Sequence, residues 1–92
     1  MSSEDFELMN KLSINIMIYR IKANLSQEEL SIIIGKPKDY IERLESLKLK
    51  KIPPVAVVID ICKTLNTSLE SLIGENYFQK IVQNMLHFLF FF

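Results

Sequence analysis

The side chains best equipped for chemistry in this sequence are cations gathered in one stretch. Lys36, Lys38, Arg43, Lys48, Lys50 and Lys51 lie close together, although Lys plus Arg only balance Asp plus Glu at 11 each over the 92 residues. An ammonium attracts phosphate as a point charge, and a guanidinium can form paired hydrogen bonds with a planar acceptor. With no net charge, affinity for an anionic partner has to come from local distribution rather than from a global field. Taken alone, Lys48, Lys50 and Lys51 read as a solvated loop, and only their position beside a helix makes them a patch. Other chemistry is poorly supplied. Cys62 stands on an apolar helix face with no His or Cys at metal-ligand spacing, which favours buried packing. His87 reads as a packing or surface residue. No nucleophile–base pair and no phosphate-cradling glycine loop is visible, so no enzyme, metal or cofactor is expected.

The elements that must position these cations are helical. Phe6, Met9, Leu12, Ile16, Tyr19 and Ala23 recur at spacings of three and four, predicting a first helix from about Glu4 to Ala23. Ser26 with Glu29 three residues on predicts a capping box that opens a second helix. Gly35 ends it, because the turn needs a residue that takes positive φ without a Cβ clash. Pro37 is placed to open a third helix of about 37–45, since its missing N–H costs nothing in a first turn. Tyr40, Ile41 and Leu44 supply its buried stripe, leaving Lys38, Asp39, Glu42 and Arg43 on the other side. Residues 46–54 form a connector stiffened by Pro53 and Pro54. A fourth helix follows, with Val55, Val58, Ile59, Ile61, Cys62 and Leu65 as core. Asn66, Thr67 and Ser68 then cap a short fifth helix through Ile73, which Gly74 stops. The fold class is all-α in one small domain, with no internal repeat.

The stretch from Arg20 to Leu72 resembles the phage-repressor (Cro/repressor, XRE-type) helix-turn-helix family. The matching residues are Arg20, Leu25, Gln27, Glu29, Leu30, Gly35, Ile41, Leu44 and Glu45, followed by Leu65-Asn66-Thr67-Ser68-Leu69-Glu70-Ser71-Leu72 in the family's closing pattern. The resemblance implies a five-helix repressor-like domain whose third helix enters the major groove while the second crosses the phosphate backbone. It assigns Lys38, Asp39 and Arg43 to base edges; a guanidinium suits Arg43 to pair with guanine, and either Asp39 or nearby Glu42 can accept from cytosine N4. It places Gln27 at the phosphate-contacting start of helix two, and Lys36, Lys48, Lys50 and Lys51, which concentrate positive charge on either side of the third helix, suit phosphate contacts. It also implies a buried structural ion pair between Arg20 and Glu45. Two departures stand out. Leu47 occupies a position where related sequences usually carry glycine, and the connector is two or three residues longer, so a different backbone path after helix three is expected.

Residues 1–74 therefore read as the DNA-binding domain and 75–92 as an additional C-terminal helix. In that helix Ile81, Val82, Met85, Leu86 and Leu89 share one face, while Tyr77, Phe78, Phe88, Phe90, Phe91 and Phe92 crowd the remainder. Two readings stay open: packing onto the chain's own core, or an interface through Ile81, Met85, Leu86 and Leu89. The expected function is a sequence-specific transcriptional regulator, a repressor, binding a double-stranded DNA operator as a homodimer. The alternative is an antitoxin-type module that masks a toxin partner. Attachment to a membrane surface is disfavoured by the lack of a Lys/Arg-rich polar face. The longest apolar run, Met85–Phe92, falls well short of the roughly 20 residues that span a bilayer, so no membrane span is expected. A lone cysteine and an acidic N-terminus without a cationic n-region predict a cytoplasmic location without export.

Overall fold

A computed structural model describes residues 2–91, which form six α-helices in the order α1 Ser3–Lys22, α2 Gln27–Ile33, α3 Tyr40–Glu45, α4 Val55–Leu65, α5 Leu69–Ile73 and α6 Glu75–Phe91. Short-range caps set the boundaries. Ser2 Oγ accepts from Asp5 N at 3.1 Å at the start of α1, and Ser68 Oγ accepts from Ser71 N at 3.0 Å at the start of α5. Four helices end in the same hydrogen-bond pattern, in which a left-handed residue turns the chain and its amide and the next one reach back to carbonyls of the last turn. The left-handed residues are Asn24, Gly35, Leu47 and Asn66.

Glycine and asparagine take that conformation readily, whereas leucine does not. Leu47 nevertheless has φ 61°, with Leu47 N donating to Leu44 O at 3.2 Å and Lys48 N to Arg43 O at 2.8 Å. The turn after α3 is thus the one a glycine would make, and the change of path expected from Leu47 does not occur at this residue. Two hydrogen bonds hold the leucine in place against its own strain. Leu47→Gly should therefore stabilise the fold by about 1 kcal/mol, the relief of a left-handed L-residue outweighing glycine's greater freedom when unfolded. A urea melt checks this. An unchanged or lower midpoint would mean that packing of the Leu47 side chain, 38% exposed, is worth more than the strain.

The core takes one stripe from each of five helices: Met9, Leu12 and Ile16 of α1, Leu30 of α2, Ile41 and Leu44 of α3, Val58, Ile61, Cys62 and Leu65 of α4, and Leu72 and Ile73 of α5. Asn15 Nδ2 adds a hydrogen bond to Leu72 O at 2.9 Å, tying α1 to the end of α5. Some expected core residues lie outside. Phe6 is 53% exposed, and the contacts of α6 with this end of α1 fall on Glu4 and Glu7 instead. Ala23 caps the exposed end of α1. Val55 and Ile59 are also exposed, and half-buried Val57 packs against the core in their stead. Val55 is the first residue of α4, directly after Pro54.

The first turn of α6 is anchored. Tyr77 and Phe78 pack against the core, Tyr77 Oη donates to Glu4 O at 2.7 Å, and Lys80 pairs with Glu4. Beyond Lys80 the helix leaves the body. Ile81, Met85, Leu86, Phe88, Leu89 and Phe90 are all exposed. Phe92, grouped with these aromatics in the sequence, lies outside the described residues. Among the described residues no helix is long and apolar enough to cross a membrane.

Candidate nucleic-acid interface

The unit that could meet DNA is α2, the turn 34–39, α3 and the connector 46–54. At the start of α2, Ser26 N donates to Glu29 Oε1 and Glu29 N donates to Ser26 Oγ, both at 2.9 Å, completing the capping box. The Ser26 backbone N–H, and then its hydroxyl, hold the Glu29 carboxyl below its ordinary range. The box therefore contributes at neutral pH and weakens as acidification protonates Glu29.

Helix α3 begins later than the sequence suggested. Pro37, Lys38 and Asp39 form a tight turn in which Tyr40 N donates back to Pro37 O at 2.9 Å, and regular α-helix starts only at Tyr40. An i→i−3 bond satisfies the entering amide here, and Asp39, at φ −98° and ψ 6°, has not yet reached helical geometry. Lys38 and Asp39 thus stand at the N-terminal mouth of α3, and Arg43 one turn further along.

The angle between α2 and α3 is set by a residue that the sequence reading passed over. Ser31 is fully buried, and its Oγ accepts from Ile41 N at 2.9 Å, so a side chain on α2 satisfies an orphan amide in the first turn of α3. Its sequence signal is faint: one small polar residue between Leu30 and Ile32 on an otherwise apolar run.

A second link locks the end of α3. Arg20 Nε donates to Glu45 Oε2 at 2.7 Å and Arg20 Nη2 to Glu45 Oε1 at 2.9 Å, with the side chains only 12% and 4% exposed. Arg20 Nη1 donates to Leu25 O at 2.8 Å. Gln27, assigned to phosphate by resemblance, turns inward, and its Nε2 donates to Glu45 Oε1 at 2.9 Å. Its second amide N–H is not used in this bond. Glu45 therefore ties α1, α2 and α3 together and is neutralised within the domain.

That neutralisation matters for the surface field. Residues 36–51 carry net charge +3 on a chain whose total is zero, and one of the acids counted there is the buried Glu45. In the connector, Leu49 and Ile52 are half-buried and Pro53 is buried, which leaves Lys48, Lys50 and Lys51 facing solvent. Together with Lys36, Tyr40 and Arg43 they line a cleft between α3 and the connector. Lys36 Nζ sits 5.4 Å from the centre of the Tyr40 ring. Burial pushes the Tyr40 hydroxyl up, with Arg43 acting weakly the other way, so it stays protonated and able to donate. Asp39 and Glu42 are the acids left on this surface, each facing a cation: Asp39 Oδ2 is 3.6 Å from Arg43 Nε and Glu42 Oε1 is 3.9 Å from Lys48 Nζ. The arrangement joins a short helix with polar side chains at its N-terminal end to a cationic wall.

A family model described as helix-turn-helix matches residues 16–72. The chain belongs to the XRE-type helix-turn-helix family. The match runs from the middle of α1 to the end of α5, so it spans the helix-turn-helix, its supporting helices and the Arg20–Glu45 lock. Among solved structures, the chain is similar to the crystal structure of hypothetical transcription factor NHTF from Neisseria, with a TM-score of 0.67 and 19% identity over 82% of this chain and 84% of that one. That likeness is one of fold. Among curated proteins, none matches this chain in sequence. Family membership makes the protein a DNA-binding transcriptional regulator, and α2 and α3 are its helix-turn-helix.

Proposed function

We propose that the protein is a repressor that occupies a double-stranded DNA operator as a homodimer, with residues 1–74 as the DNA-binding unit and 75–92 as its dimerisation extension. The observation that carries this reading is the +3 charge around α3 and its connector on a chain with no net charge. Lys38, Asp39 and Arg43, at the groove-facing end of α3, serve base recognition. Lys36, Lys48, Lys50 and Lys51, with the second amide N–H of Gln27, take phosphates on either side. The dimer brings two α3 helices to half-sites roughly 34 Å apart. Its interface is the projecting half of α6, where Ile81, Met85, Leu86 and Leu89 are 38%, 61%, 47% and 70% exposed. Apolar patches beyond a few hundred Å² rarely stay in water on a monomer.

The test is selection of a randomised duplex library by the purified protein at near-physiological salt. An enriched palindrome with half-sites about 10 base pairs apart is the expected result. Lys50→Ala should then weaken binding to all sequences alike and reduce the slope of log affinity against log salt by about one. A loss confined to one sequence would remove Lys50 from the phosphate contacts. The exposed face of α6 also supports a second reading, in which the protein is an antitoxin that covers a toxin with this helix. Absence of any enriched sequence, from folded protein, would move the weight to that reading.

A further inference from the structure

The side chain of Asp39 lacks the role its position suggests. It stands at the N-cap of α3, yet it accepts no cap hydrogen bond. As an anion at the mouth of a DNA-facing helix it also repels phosphate. Its nearest charged neighbour is Arg43, one helical turn on, with Oδ2 3.6 Å from Nε. That Nε is shielded from solvent and has no hydrogen-bond partner, although the Arg43 side chain as a whole is 42% exposed. The inner edge of the guanidinium is therefore turned toward the carboxylate, and the exposed surface belongs to other atoms of the side chain.

We propose that Asp39 is a positioning residue for Arg43. Its carboxylate takes the Nε–H and orients the guanidinium so that Nη1 and Nη2 present a paired donor edge to guanine O6 and N7. The proposal rests on the DNA-reading function of α3 and names what enforces its base preference. Closing 3.6 Å to hydrogen-bond length needs only a small rotation of either side chain, and both are on the surface. A long arginine held in one orientation loses less freedom on binding, and a bidentate contact tolerates little angular error. Asp39 therefore acts on specificity through Arg43 rather than by touching a base, in contrast to the cytosine contact suggested by the sequence.

The test compares base preferences of the unsubstituted protein, Asp39→Ala, Asp39→Glu, Arg43→Ala and the Asp39→Ala/Arg43→Ala double variant on the selected operator and its single-base-pair variants. Thermal melts establish that each is folded, which is expected because no cap bond is lost. Arg43→Ala identifies the guanine whose preference it abolishes. Asp39→Ala should lower preference at that same base pair by about tenfold, Asp39→Glu should restore part of it, and in the Arg43→Ala background Asp39→Ala should change nothing there. Any of three results overturns the proposal: unchanged guanine preference in Asp39→Ala, tighter binding to all sequences alike, or an effect confined to a different base pair. If the unsubstituted protein prefers no sequence, the DNA-reading function fails, and the proposal with it.

Discussion

Glu45→Ala should destabilise the domain by about 3–5 kcal/mol, a fifth or more of the roughly 5–15 kcal/mol that holds a small domain folded. The carboxylate is 4% exposed and accepts three hydrogen bonds, two from Arg20 and one from Gln27. Its removal leaves a guanidinium that is 12% exposed, with only the Leu25 carbonyl at Nη1 as a protein partner. The loss comes from that stranded charge rather than from the intrinsic worth of the pair. Replacing both residues by apolar ones, Arg20→Met with Glu45→Leu, should accordingly recover most of the stability. Urea denaturation at low and high salt checks both parts, and the loss should be nearly independent of salt because the pair is buried. A loss below about 1 kcal/mol would place Glu45 among the solvated pairs that contribute little. Because Glu45 is the last residue of α3 and also holds α2 through Gln27, a folded variant should also read DNA less selectively.

Met85→Lys combined with Leu89→Lys should convert the protein to a monomer and reduce affinity for a full palindromic operator by about 10²–10⁴-fold, the gain that linking two binding units ordinarily provides. Binding to an isolated half-site should be unchanged. The fold should survive, because the two residues are 61% and 70% exposed and the part of α6 that packs on the core ends at Phe78. Ile81, Met85 and Phe88 follow the alternating four-and-three spacing of a two-helix seam, with Leu89 beside them on the same surface, and residues 81–91 contain no Asp, Glu, Lys or Arg. Two copies can approach there without like-charge repulsion, and paired lysines would introduce it. Sedimentation and half-site titration decide the matter. A variant that remains dimeric would shift the interface elsewhere, with the exposed outer stripe of α1, Ile14, Met17, Ile18 and Ile21, the next surface to substitute. An unsubstituted protein that is already monomeric would exclude α6 as a dimer interface.

Sequence by itself determined what short-range bonding and periodicity control. The Ser26–Glu29 capping box, the Gly35 turn, the order of the helices and the membership of Leu12, Ile16, Ile41, Leu44 and Leu65 in the core all rest on spacings of three or four residues. The onset of α3 was less legible, because whether Pro37 opens a helix or a tight turn depends on which carbonyl the Tyr40 amide finds. Apart from the Arg20–Glu45 pair, which the family resemblance implied, tertiary structure decided the contacts between residues far apart in the chain. Ser31 reaches the Ile41 amide across 10 positions, and Gln27 reaches Glu45 across 18, a bond that its place on α2 did not announce. Burial of the amphipathic helices followed the same division. Periodicity marks an apolar face, but how far that face is covered depends on where neighbouring helices cross it. Phe6, Val55 and the outer half of α6 are apolar by sequence and uncovered by the fold for that reason.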